Sequence, residues 1–309
     1  TNMKTLNLNK ILLLACLFLV AAFFSNNANA TCVKVGDVIT TASSTTPVTD
    51  SEEGAGDQCS DTPDFYKLNF FQLGLCKTDP SKNDLSSCEF IINSADGIEH
   101  EISYPASAEI DIPEFTITPG TYPFSVALIG NRLGIKHSFQ TSVATSSAGA
   151  GSGVYCWTSD EGTSAYTNEV FTSTAHGVTT EDGDTAQMAT CGATAGTAVY
   201  TYEIINILSA DSCGTFDDFG DLQPMGTVGN GTAKVALLKN DDTYATACEN
   251  AGKILWTTAL ASPFVITEDS TYELKMRTQD AVSMDFSGGD NNEFMKTGAD
   301  PIQLYLTVN

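Results

Sequence analysis

The chain has 309 residues, with 38 acidic against 14 basic side chains, a formal net charge of −24, and 42% hydrophobic residues. That charge excludes nucleic acid and anionic lipid surfaces as electrostatic partners. The length suits one large domain or two ordinary ones.

At the N-terminus Lys4 and Lys10 precede an apolar run from Ile11 to Phe24, then Ser25-Asn26-Asn27 and Ala28-Asn29-Ala30. A charged start, a short apolar run and a small-x-small end read as a cleavable signal peptide over residues 1–30, starting at Met3. The run is shorter than the roughly twenty residues needed to cross a bilayer, so no membrane span is expected in the mature chain. Leu13-Leu14-Ala15-Cys16 offers a competing lipidation box, but more apolar residues follow it and the Ala-x-Ala site lies further on. Removal of residues 1–30 leaves 38 acidic and 12 basic side chains, a formal charge of −26. Solubility in a salty, screening medium accounts for this acidity; capture of divalent cations is the functional alternative.

Eight cysteines remain after Cys16, and an even count in an exported chain implies a disulfide framework. Sequence neighbours close the smallest loops, giving Cys32–Cys59, Cys76–Cys88, Cys156–Cys191 and Cys213–Cys248. No Cys-x-x-Cys pair is present, which argues against a zinc site.

Alternating apolar and polar residues, rich in Val, Ile, Tyr, Phe and Thr, predict strands over 66–75, 90–92, 109–112, 122–129, 199–208, 234–238, 264–267, 272–276 and 302–308. One helix is expected over 243–251, with Asp242 as its N-cap and Gly252 as its stop. A weak repeat organises these elements. Tyr66, Cys76, Cys88 and Phe115-Thr-Ile117-Thr118 leading to Thr121-Tyr122 are echoed by Tyr202, Cys213, Cys248 and Phe264-Val-Ile266-Thr267 leading to Thr271-Tyr272. Between the halves, residues 142–153 are mostly Ser, Ala and Gly and read as a flexible link. The expectation is therefore a mostly β, disulfide-braced antiparallel β-sandwich in two related tandem modules, 31–142 and 154–309, joined by a linker at 143–153.

Ile117-Thr-Pro-Gly-Thr-Tyr122 resembles the turn-and-strand entry of prealbumin-like and collagen-binding B-type β-sandwich modules. The resemblance implies a tight turn at Pro119-Gly120 feeding a strand whose Tyr122 covers the core edge. The second copy has Glu268-Asp269-Ser270 in place of Pro-Gly. Some such modules carry a Lys–Asn isopeptide bond, for which Lys67 is the position that invites comparison. No Asn near the end of the first half matches it, and Lys67 reads as a surface lysine.

Catalytic constellations do not emerge. His100, His137 and His176 form no metal-binding spacing and read as exposed loop or strand-end residues, and no serine sits in a Gly-x-Ser-x-Gly elbow. Paired carboxylates of the glycosidase kind cannot be sorted from so many acids. The acidic loop 285–293 sets Asp285, Asp290, Asn292 and Glu293 around two glycines, an oxygen-rich turn suited to calcium. The turns 181–184 and 217–221 are poorer versions, and Asn230-Gly-Thr232 matches a glycosylation sequon. The functional expectation is a secreted or cell-surface structural or adhesive protein without catalytic activity, a subunit of an extracellular assembly. Its partners would be further copies pairing through edge strands, or other cell-surface components. An extracellular glycan- or calcium-binding module is the alternative, with Trp157 and Trp256 as candidate platform residues that read more simply as core; a secreted hydrolase comes third.

Overall fold

The computed structural model describes residues 30–40, 57–80, 84–103, 107–109, 115–147, 151–159, 189–205, 222–228, 231–246, 250–287, 294–299 and 302–309. These residues form strands and no α-helix. In chain order the strands are β1 (Ala30–Thr31), β2 (Lys34–Val35), β3 (Val38–Ile39), β4 (Asp57–Asp61), β5 (Phe65–Cys76), β6 (Cys88–Ser103), β7 (Ser107–Glu109), β8 (Gly120–Gly130), β9 (Arg132–Lys136) and β10 (Ser138–Ser147). They continue as β11 (Ser152–Thr158), β12 (Ala189–Gly192), β13 (Thr201–Ile204), β14 (Gln223–Val228), β15 (Gly231–Leu238), β16 (Lys253–Ile266), β17 (Tyr272–Arg277), β18 (Val282–Ser287), β19 (Phe294–Ala299) and β20 (Gln303–Val308). Residues 1–29 of the expected signal segment, Cys213, Cys248, His176, and the acidic turns at 181–184 and 217–221 lie outside the described residues, and Ala30, the last residue of that segment, begins β1.

One of the three sheets has eight strands. In it β8 and β9 make one nearly continuous run against β5, with Cys76 opposite Phe124 at one end and Phe65 opposite Lys136 at the other. Asn131 interrupts the run. Its buried Nδ2 donates to Ile205 O at 3.2 Å and Ala251 O at 2.9 Å, joining the end of β13 to the start of β16 on the far side. Both faces of this sheet are apolar, which explains strands that read as unbroken hydrophobic runs. Ala127, Ile129, Val235, Leu237, Ile254 and Trp256 share the largest core with Leu274, Met276, Leu304 and Leu306 of the three-stranded sheet β20-β17-β7. Val126, Leu128, Ala236, Leu238 and Leu255 face the other way, around Cys76.

The nine-stranded sheet runs β1-β4-β18-β19-β10-β11-β12, with β3 added on β10 and β2 on β3. Because β1 lies on β4 while β3 of the same segment lies on β10, the N-terminal residues bridge two distant parts of the sheet. Its core holds the disulfides Cys32–Cys59 and Cys156–Cys191 beside Ile39, Phe139 and Met284. The third disulfide, Cys76–Cys88, joins β5 to β6. All three are pairs expected from sequence proximity.

Each sheet takes strands from both sides of residues 143–153. β16 pairs with β8 from Lys253 opposite Gly130 to Ile266 opposite Gly120, β18 pairs with β4, and β17 pairs with β7. The described ends of the segment expected as a linker are paired strands, with Thr145 opposite Gly153 and Ser146 opposite Ser152, while residues 148–150 lie outside the described residues. The small size of the paired residues permits close approach rather than flexibility: a Cβ on Gly153 would collide with the backbone of Gly192. The repeated Thr-Tyr strands lie in different sheets, Tyr122 in β8 and Tyr272 in β17. Of the expected helix at 243–251, residues 243–246 are not helical, and 247–249 lie outside the described residues. Asp242 adopts a positive φ of 66°, Lys239 N donates to Thr243 O at 2.7 Å, and Tyr244 bridges back to Leu238, so the backbone bonds go to a tight turn.

The chain bends at Pro119 and enters β8 at Gly120, without a backbone hydrogen bond closing a tight turn there among those of the described residues. Tyr122 is buried, and its hydroxyl lies 2.6 Å from Thr118 O and 2.9 Å from Glu89 Oε1, its one proton shared between these two acceptors. Lys77 Nζ lies 3.0 Å from the same carboxylate oxygen. Burial works to raise the Glu89 carboxyl, but the Thr118 N–H, Lys77 and Tyr122 outweigh it and hold it at about 2. Lys67 is ion-paired to Glu99 at 3.0 Å on the sheet surface.

Candidate functional site

Three stretches of chain pass between the eight- and nine-stranded sheets at one level: β4 to β5, β9 to β10, and β12 to β13. His137 is the single residue between β9 and β10, and Asp61 is the last residue of β4. Their side chains are 4% and 7% exposed, so the ring and the carboxylate meet inside the protein. His137 Nε2 lies 3.2 Å from Asp61 Oδ2. Lys34, on β2, completes the cluster with Nζ at 2.6 Å from Asp61 Oδ2 and 2.7 Å from Oδ1. The Thr62 N–H donates to Asp61 Oδ1 at 2.8 Å. Burial pushes the Asp61 carboxyl up, but the His137 contact, the Lys34 ammonium and the Thr62 N–H together hold it down, from 3.8 to about 2.

The backbone around His137 is equally committed. Its N–H donates to Thr158 Oγ1 at 3.0 Å, and the Thr158 N–H returns a bond to His137 O at 2.9 Å. Thr158 Oγ1 donates onward to Val199 O at 2.6 Å. The Ser138 N–H donates to Asp64 Oδ2 at 2.8 Å, and His137 Nδ1 lies 3.8 Å from that same oxygen. Both ring nitrogens therefore face carboxylates, and the cluster's chemistry is that of an anchor binding the N-terminal hairpin and three strand crossings together.

Beside this anchor, on the outer face of β10 and β11, lies a cleft of about 190 Å³. Tyr155 and Trp157 line it from β11, Ser138 and Gln140 from β10, Asp37 from the β2–β3 turn, and Gly196 from the segment after β12. Both aromatic residues are half-buried. Trp157 is thus a cleft residue, whereas Trp256 is the core residue the sequence suggested.

Of the residues expected to ligate calcium, Asp285 lies in β18, its backbone opposite Lys296 and Gln58. Asp290, Asn292 and Glu293 fall outside the described residues. Among the described residues no group of three His, Cys, Asp or Glu side chains is placed to hold a metal.

The sequence reading placed His137 on an exposed strand end, and it is buried. A signal for this was present: Leu133, Ile135, His137 and Phe139 fall on one parity of an alternating run, and all four are buried. No protein-family model, curated protein or solved structure matches the chain.

Proposed function

We propose that the chain is an exported, cell-surface structural or adhesive protein that assembles with further copies of itself through the outer edge of β20. Disulfides persist in oxidising compartments, and three occur among the described residues. Among the described residues no helix is long and apolar enough to cross a membrane.

The observation that carries the proposal is the contrast, among the described residues, between β20 and the other sheet edges. β1, β7, β12 and β13 have four residues or fewer. β14 contains Pro224 at a register break, and β6 presents Glu89, Glu99 and Glu101 along a strand broken in register twice. These are the devices that guard an edge against foreign strands. β20 has none of them. Gln303-Leu-Tyr-Leu-Thr-Val308 is uncharged, lacks Gly and Pro, and keeps unbroken register with β17 from Gln303 opposite Arg277 to Val308 opposite Tyr272. A second copy related by a twofold axis would place β20 against β20 and join two three-stranded sheets through strands that carry no charged side chain.

Thr271 and Asn309 exchange two backbone hydrogen bonds, both 2.9 Å, so alternation turns the N–H groups of residues 303, 305 and 307 toward β17 and those of 304, 306 and 308 outward. Val308→Pro removes an outward donor, and Thr307→Lys adds charge at the edge, neither touching an inward bond. Sedimentation velocity should show concentration-dependent association of the intact chain and its loss in both variants. A strictly monomeric wild-type chain at high concentration, with and without calcium, would overturn the proposal. Deleting residues 302–309 is a poor test, because it strips Ile302, Leu304 and Leu306 from the main core.

A further inference from the structure

We infer that the cleft beside Trp157 is a binding site for one ring of a neutral saccharide. Tyr155 and Trp157 stand two residues apart on β11 and so share a face, opposite the inward Cys156. Their cross-strand neighbours on β10 are polar, Gln140 opposite Tyr155 and Ser138 opposite Trp157. Asp37 adds a carboxylate from the β2–β3 turn. The site is built before any ligand arrives. The Cys156–Cys191 disulfide fixes β11 to β12 beneath it, and the chain at Gly196 passes so close to the indole that any side chain there would collide with the ring.

Two flat apolar side chains match the C–H faces of a pyranose. An amide that both donates and accepts, a hydroxyl and a carboxylate match its hydroxyl groups. The volume, about 190 Å³, is below the roughly 300–1,000 Å³ of pockets that enclose a whole drug-sized ligand, so the cleft takes one ring. Ser138 and Ala195 at its rim are exposed, which lets the rest of a glycan chain run out into solvent. Anionic glycans are disfavoured, because Asp37 is the one charged residue among the described residues lining the cleft and the chain as a whole carries −24. The site is separate from the β20 edge, so sugar binding and self-association can fail independently.

The test is isothermal titration of the intact, oxidised chain with neutral glucose-, mannose- and galactose-based tetrasaccharides, with choline as a cationic probe. Tryptophan fluorescence gives a second readout, because Trp256 is buried with its Nε1 bonded to Thr258 Oγ1 at 2.9 Å, which leaves Trp157 to respond. At least one tetrasaccharide should bind at millimolar concentration or better. Trp157→Ala should weaken it about tenfold or more, the loss of about 1.4 kcal/mol, and Gln140→Ala and Asp37→Asn should weaken it several-fold while keeping the wild-type unfolding midpoint. If Trp157→Ala fails to fold, the other two variants carry the test. Three outcomes would overturn the assignment: no saccharide binding, binding indifferent to the Gln140 and Asp37 substitutions, or binding of choline alone with loss in Asp37→Asn.

Discussion

Replacing Asp61 by Asn removes the one carboxylate that binds both Lys34 and His137 at the crossing between the sheets. The native environment lowers the Asp61 carboxyl from 3.8 to about 2. At about 1.4 kcal/mol per unit, that shift is worth about 2 kcal/mol of folding stability. Because the folded value is the lower one, this contribution is fully present above pH 4 and is lost as pH falls through 4 toward 2. Urea unfolding of the wild type and Asp61→Asn, with disulfides intact and followed by circular dichroism, should differ by about 2 kcal/mol at pH 7. The difference should shrink toward zero at pH 2, which isolates this group from the other carboxylates titrating over the same range. A variant within about 0.5 kcal/mol of wild type at pH 7, or a difference independent of pH, would refute the view of this cluster as the anchor of the N-terminal hairpin.

Residues 31–142 and 154–309 expressed separately should show no cooperative unfolding, because the β8–β16 pairing spans both; cooperative transitions in both halves would instead support two tandem modules. Non-reducing peptide mapping should recover Cys76 linked to Cys88, and replacing both with Ser should cost about 2–4 kcal/mol. Asn131→Ala leaves the carbonyls of Ile205 and Ala251 without their buried donor and should cost about 1–3 kcal/mol in the same denaturation assay. Tyr122→Phe, which keeps the packed ring but removes the bonds to Glu89 and Thr118, should cost about 1 kcal/mol.

Much of the fold was legible because local signals were strong. Tyr66 to Leu75 and Tyr122 to Ile129 read as strands from alternation and composition, and they are β5 and β8. The disulfides followed from loop closure, since the cross-linked strands are neighbours in sequence as well as in space. The first part of β16 was hidden because Ile254, Leu255 and Trp256 are buried on both faces and show no alternation. Pro263 further disguised it, yet that residue falls in the register break between Ala259 and Phe264, where a missing N–H costs no ladder bond. Pairing between strands more than a hundred residues apart, such as β4 with β18, leaves no trace in local pattern, so the halves read as modules. The cleft was invisible for a related reason: Asp37, Gln140 and Trp157 come from three separate parts of the chain, and sheet register alone brings them together.

Amide hydrogen exchange along β20, at low and high protein concentration, tests the proposed assembly most directly. The N–H groups of residues 303, 305, 307 and 309 point toward β17 and should be protected at both concentrations. Those of Leu304, Leu306 and Val308 point outward; they should exchange rapidly in dilute solution and become protected as copies pair. Exchange of these three that does not change with concentration would contradict assembly through this edge.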